Sequence, residues 1–367
     1  MLEISMPTLI LDKEKAKKNI RRMVDKARKA GLEFRPHFKT HQSVTVGEWF
    51  REEGVSKIAV SSIEMAKKFA LAGWTDITVA ISVNAHEIKA INELAERIQL
   101  NLLVECKVSV IILEKMLSSN IGLFIKIDTG YGRTGAKWDD TEKIESIISS
   151  ISQSSTVSFK GFLIHAGHTY KVEGKSLEKV RRIEEILQES LQRAKSLRRN
   201  FLNDYPEAII SYGDTPSCSL GNSFDGIDEL RPGNFVFYDL VQQSLGACSF
   251  DDIAVVLACP VIAVHYDRLE IVLYGGAVHF SKDFVKQDDE LIYGRVARHS
   301  SLAWDTPVDG AVVRSLSQEH GIVRYKSLDQ MRHIGIGDIL YVFPVHSCLT
   351  ADCMGGYLTL SGDVINV

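Results

Sequence analysis

Five groups of residues hold the side chains whose types and spacing could do chemistry. In Arg35-Pro36-His37-Phe38-Lys39-Thr40-His41-Gln42 a lysine stands between two histidines at alternate positions. On an extended strand His37, Lys39 and His41 project to one face. A lysine stripped of water there loses its charge and becomes a nucleophile toward an aldehyde, the alternative being a solvated loop lysine. In Asp128-Thr129-Gly130-Tyr131-Gly132-Arg133-Thr134-Gly135 three glycines allow close backbone approach, and Arg133 could reach an anionic oxygen. His165-Ala166-Gly167-His168-Thr169-Tyr170 could serve a metal or a ring, or form a hydrogen-bonded cluster. Ser211-Tyr212-Gly213-Asp214-Thr215-Pro216-Ser217 and Arg231-Pro232-Gly233-Asn234 are turn-rich and could offer backbone N–H groups to a phosphate. In Val345-His346-Ser347-Cys348 an imidazole and a thiol stand two residues apart. On a strand both face one way, and the pair suits zinc with coordination positions left open, the alternative being a buried thiol and a satisfied histidine.

These groups need elements to position them. Strand-like apolar runs occur at 32–39, 57–61, 76–81, 100–104, 123–127, 159–165 and 208–212, with a last one ending at 230 or 231. Helical periodicity fills the gaps. Asp12 caps a helix carrying Ala16, Ile20, Met23 and Ala27; Asn84 with Glu87 reads as a capping box; a long charged helix spans about 176–200. Eight short βα units predict parallel strands closed into a (β/α)8 TIM barrel, and the count disfavours a doubly wound open sheet. The barrel puts functional groups at the C-terminal ends of strands and phosphate after strands 7 and 8, where the first four groups fall. From about residue 245 the pattern turns to short β-rich runs, which predicts a C-terminal all-β domain. The expected division is 8–245 for the barrel and 246–367 for the β domain, with residues 1–7 as candidates to join the latter.

The composition bounds the class. The 367 residues carry 43 basic and 47 acidic side chains, a net charge of −4, with 45% apolar and 25% charged residues. This excludes a disordered chain, a coiled coil and a collagen, and gives no reason to expect nucleic acid or an anionic membrane as partner. Cysteines at 106, 218, 248, 259, 348 and 353 form no CxxC pair and read as reduced thiols. The start MLEISMPTLILDKEKAKKN lacks the basic opening and apolar centre of a signal peptide, so the expected location is cytoplasmic.

The motifs in this order resemble the fold-type III pyridoxal-phosphate enzymes, the group that holds the alanine racemases, over nearly the whole chain. The HSC motif at 346–348 narrows the resemblance to the D-threonine aldolase and D-serine dehydratase branch, where a divalent metal sits beside the cofactor. The resemblance implies pyridoxal 5'-phosphate carried on Lys39 as the catalytic Schiff-base lysine, with His37 beside it. It implies Arg133 near the phenolic oxygen, Tyr170 near the pyridine nitrogen with His165 and His168 close by, and Ser211, Gly213, Asp214, Thr215, Gly233 and Asn234 around the phosphate. His346 and Cys348 match the metal ligands, for zinc or manganese. The implied activity is a lyase on D-3-hydroxy amino acids. Retro-aldol cleavage to glycine and an aldehyde is placed ahead of dehydration to a keto acid and ammonia. A racemase would need a second-face tyrosine that has no counterpart here, and a non-catalytic cofactor carrier would lack the β domain. Relatives of this kind are homodimers, which sets the expected assembly.

Overall fold

Asp12 accepts a hydrogen bond from the Lys15 amide at 3.0 Å and starts the helix Lys13–Lys29. Its Ala16, Ile20, Met23 and Ala27 are buried, the stripe that helical periodicity predicts. The computed structural model describes residues 3–287, 290–299 and 304–367. The chain divides into two compact units.

The first unit comprises residues 22–39 and 47–233. Eight strands, Glu33–Phe34, Lys57–Val60, Asp76–Ser82, Gln99–Val104, Ile121–Asp128, Val157–Ile164, Ile209–Tyr212 and Glu229–Leu230, pair in parallel in chain order. The last pairs with the first, and a parallel bridge between His37 and Ala59 links the first to the second, closing the expected barrel. Helices connect successive strands, as short parallel crossovers require. Asn84 caps only the 3-10 turn Ala85–Glu87, accepting from the His86 amide at 3.1 Å, so the capping box does not form and the helix Ile88–Ala95 starts later.

The second unit comprises residues 1–21, 40–46 and 234–367. Its sheet contains the strands Glu270–Tyr274, His320–Arg324, Trp304–Leu316, Gly294–His299, Ile339–Pro344 and Val255–His265 in that order. The last also pairs with the first, so six antiparallel strands form a ring without free edges. Thr8–Leu11 joins Val255–His265 antiparallel and Gly356–Thr359 parallel, with Val364–Asn366 outermost. The division therefore does not fall at residue 245. Thr8–Leu11 is a β-domain strand because its hydrogen-bonding partners lie about 250 and 350 residues on, which no local pattern encodes. Among the described residues no helix is long and apolar enough to cross a membrane.

Candidate active site

Polar side chains occupy the barrel interior. Arg35, on the first strand, donates from Nε to Glu229 at 2.8 Å and from Nη1 to Asp76 at 2.6 Å. Asp76 also accepts from Asn101 at 3.2 Å, and Glu229 from the Ser211 hydroxyl at 2.7 Å. Arg231 donates to Ser211 at 3.3 Å and to the Ile164 carbonyl at 2.7 Å. Burial alone would lower Arg35, but Glu229 and Asp76 outweigh it and raise its pKa, so the ion is kept. The Ser211 hydroxyl is thus enclosed in this network. Lys126 is also buried; desolvation, helped by Arg231 and Arg133, holds its pKa well below the ordinary range. Sequence reasoning passed over Lys126, although a lysine inside the apolar run Ile121–Asp128 was a readable signal.

The first strand ends differently from expectation. His37 donates its amide to the Pro232 carbonyl at 2.9 Å, and Phe38 donates to Ala59 at 2.8 Å. The chain then turns, because the Phe38 ring is fully buried, 4.9–5.1 Å from Phe50, Phe69 and Trp74. Strand alternation stops there: Lys39 is exposed, whereas His37 and His41 are buried. The surrounding protein atoms do not bury Lys39, so the expected desolvation is not supplied by them. Its amide donates to His37 Nδ1 at 3.3 Å.

The loop after the fifth strand wraps around a carboxylate. Asp128 accepts from the amides of Gly130, Tyr131 and Gly132 at 2.9, 2.8 and 3.0 Å. Glu105 accepts from the Gly135 amide at 2.6 Å, and a Cβ on Gly135 would lie 2.8 Å from the Asp128 nitrogen. Arg193 donates to the Thr129 carbonyl at 2.6 Å. The Arg133 guanidinium is exposed, 5.0 Å from the Tyr131 ring centre, and the Lys171 ammonium lies 5.0 Å from the same ring.

The ends of the sixth and seventh strands meet this loop. His165 Nδ1 lies 2.7 Å from the Gly213 carbonyl oxygen, so that nitrogen carries the proton. Burial first, then Lys126, Arg231 and Lys39, hold its pKa well below the ordinary histidine value, leaving the imidazole neutral. Its ring centre is 6.0 Å from Tyr131 and 6.4 Å from Tyr170. Gly167 is required here: a Cβ would sit 2.4 Å from the Tyr131 ring and 2.8 Å from His165 Nε2. The Tyr170 hydroxyl accepts from the Thr215 amide at 3.2 Å. The Asp214 side chain is turned inward, which leaves the backbone N–H groups of its loop as what that turn could offer an anion. Asp214 is fully enclosed, caps the helix Thr215–Leu220 through the Ser217 amide at 2.8 Å and accepts from Thr169 at 3.0 Å, and burial raises its pKa. Gly213 has a packing reason as well, since a Cβ would lie 2.4 Å from the Arg231 carbonyl oxygen. Gly233 closes this unit at the eighth strand's exit.

The HxC pair lies in the second unit, on a helix start rather than a strand. His346 precedes the helix Ser347–Met354 and Cys348 lies in its first turn, yet the thiol and the imidazole are in hydrogen-bonding contact. His346 Nδ1 is 2.6 Å from Asp283 Oδ2. The Cys348 sulfur is 3.2 Å from the Thr40 hydroxyl and 3.4 Å from Asn234 Nδ2. Asn234 also donates to Asp239 at 2.6 Å, and Asp239 accepts the Ser347 amide at 3.0 Å. The Asn234 side chain is therefore engaged with the thiol and Asp239. Neither Asp283 nor Asp239 was anticipated. Both lie far from the motif in sequence, with no local signal.

The residues fit the two groups that the family implies. For pyridoxal phosphate, Thr215 presents a buried hydroxyl with no hydrogen-bond partner, and the nearby His165 is neutral. For a divalent metal, His346 and Cys348 offer the nitrogen and sulfur that zinc prefers. Among the described residues no three His, Cys, Asp or Glu gather to hold an ion.

Fold and site define the class: a pyridoxal-phosphate protein of fold type III, built on an alanine racemase-like barrel. Residues 11–240 match the family model for the alanine racemase N-terminal domain, and the chain belongs to that family. Residues 254–360 match a putative serine dehydratase domain. The D-threo-3-hydroxyaspartate dehydratase of Delftia sp. strain HT23 is 28% identical over 374 residues, covering 99% of this chain and 96% of that protein. Its structure superposes with a TM-score of 0.88 at 26% identity over 99% of this chain and 97% of that one, and a cysteine-to-alanine variant of it is solved in a metal-free form. The D-serine dehydratase of Dictyostelium discoideum is 27% identical over 392 residues, 98% of this chain and 94% of its own. The D-threonine aldolase of Filomicrobium marinum shares the fold, with a TM-score of 0.82 at 19% identity over 99% of this chain and 95% of that one.

Proposed function

We propose that this protein is a metal-activated, pyridoxal-phosphate-dependent dehydratase of D-3-hydroxy amino acids. The observation that carries this reading is the paired imidazole and thiol of His346 and Cys348, inside a domain matched by the serine dehydratase model. Sequence reasoning placed retro-aldol cleavage first. Similarity to two dehydratases over the whole length moves elimination ahead of it, and cleavage to glycine and an aldehyde is the second reading.

The residues divide the work. Lys39 Nζ carries the cofactor and then removes the proton from the substrate Cα, the role of an amine at a barrel mouth. His165 presents a neutral imidazole, its Nδ1–H fixed on Gly213, so it adds no charge beside the cofactor ring. Tyr170 is held by the Thr215 amide, and the Thr215 hydroxyl is the donor for the phosphate. Arg133 supplies a cation for an anionic oxygen. Pyridoxal phosphate, when bound, supplies the electron sink for charge left on Cα. A divalent metal on His346 and Cys348 supplies a Lewis acid for the leaving β-hydroxyl. In the net reaction the Cα–H and Cβ–O bonds break and water departs. Tautomerisation and hydrolysis then consume one water and release a 2-keto acid and ammonia.

The test is product analysis with D-serine, D-threonine and D-threo-3-hydroxyaspartate. Stoichiometric keto acid and ammonia are expected. Glycine with an aldehyde would establish the second reading. If no substrate changed the cofactor spectrum or gave product, the lyase reading of these substrates would fall.

A further inference from the structure

We propose that Asp283 is a positioning residue of the metal centre, fixing the His346 imidazole with Nδ1 protonated and Nε2 presented as the ligand atom on the side of the Cys348 thiol. The proposal rests on the reading of His346 and Cys348 as metal ligands. The Oδ2 of Asp283 is 2.6 Å from Nδ1 of His346, across 63 residues of chain. An ionised carboxylate only accepts, so Nδ1 keeps its proton on Asp283 and Nε2, on the side of the thiol, is the nitrogen that a cation would take. Metal-bound histidines characteristically hold such an outer carboxylate, which sets ring orientation and tautomer.

The two ligand side chains are supported differently. The thiol is contacted by Thr40 and Asn234, and Asn234 is itself held by Asp239. Asp283 holds the Nδ1 edge of the imidazole, opposite the nitrogen that meets the thiol. It is delivered by the segment after the helix Ala277–Phe280, which the Thr350 hydroxyl fastens to the helix Ser347–Met354 through the Phe280 carbonyl at 3.0 Å. The side chains of His346 and Asp283 are 36% and 45% exposed. A pair so open to water adds little to folding, so its consequence is directional rather than stabilising.

The experiment uses the full-length, cofactor-loaded protein, stripped of metal and titrated with zinc against a chromophoric chelator, then with cobalt. Asp283→Ala is expected to weaken zinc binding by about 10–100-fold. Asp283→Asn keeps an acceptor for Nδ1–H and is expected to lose less. In the cobalt form of Asp283→Ala the thiolate charge-transfer band persists while the ligand-field bands shift, which a purely structural role would not produce. Melting temperatures of the metal-stripped proteins should match, and with so exposed a side chain both variants are expected to fold. Zinc affinity and cobalt spectra of Asp283→Ala equal to wild type overturn the proposal while the ligand reading stands. If His346→Ala and Cys348→Ala bind zinc no more weakly than wild type, the ligand reading itself falls and takes the proposal with it.

Discussion

The imidazole of His165 donates to the carbonyl of Gly213 at 2.7 Å, tying the exit of the sixth barrel strand to that of the seventh. The same contact fixes the tautomer of a ring whose pKa is held well below its ordinary value by burial and by Lys126, Arg231 and Lys39. Below pH about 6.5 the unfolded chain takes up a proton on this residue that the folded chain refuses. Stability is therefore lost as pH falls from about 6.5 toward the lowered native value. His165→Asn removes this contribution, so the difference in urea midpoint between variant and wild type should change across pH 5.5 to 7.5 in wild type's favour at the higher pH. A constant difference would refute the assignment.

Glu229 holds both Arg35 and Ser211 inside the barrel. Glu229→Ala leaves a buried guanidinium with one carboxylate instead of two, and should cost about 3–5 kcal/mol in chemical denaturation. The paired replacement Arg35→Met with Glu229→Leu should recover much of that loss, because both charges leave together.

Gly167→Ala places a methyl 2.4 Å from the Tyr131 ring. The expected cost is about 1–3 kcal/mol, with a weakened cofactor spectrum as His165 is displaced. Tyr131→Ala in the same chain should return part of the stability, and a double variant no better than the single one would argue against the clash.

Lys39→Ala should bind pyridoxal phosphate without the visible absorption of a covalent lysine adduct, and turnover should be lost. A visible adduct band that persisted in this variant would remove Lys39 from its role.

Exhaustive chelation should abolish turnover, with recovery on adding zinc or manganese. Turnover that survives metal removal would separate His346 and Cys348 from the reaction.

Much of the fold was legible because its signals are local. Eight apolar runs with helical stripes between them specify a parallel barrel, and the loss of helical period after residue 245 marks a β-rich region. The chemistry-bearing segments were legible by type, as was their place at strand ends. The first-strand alternation failed because the chain turns at Phe38, whose ring is held in an aromatic core that the sequence does not display.

By itself, then, the sequence determined the order of elements, the family likeness and which side chain types stand near which strand end, since those depend on periodicity and spacing. Only the tertiary structure decided which of them work together. It turned Ser211 into the barrel core, made Asp214 a helix cap and engaged the Asn234 side chain with the Cys348 thiol. It placed Asp283 on His346 and Thr8–Leu11 in the β sheet. Apart from the Asp214 cap, a contact with Ser217 three residues on, these depend on hydrogen bonds between residues far apart in the chain, of which local sequence carries no record.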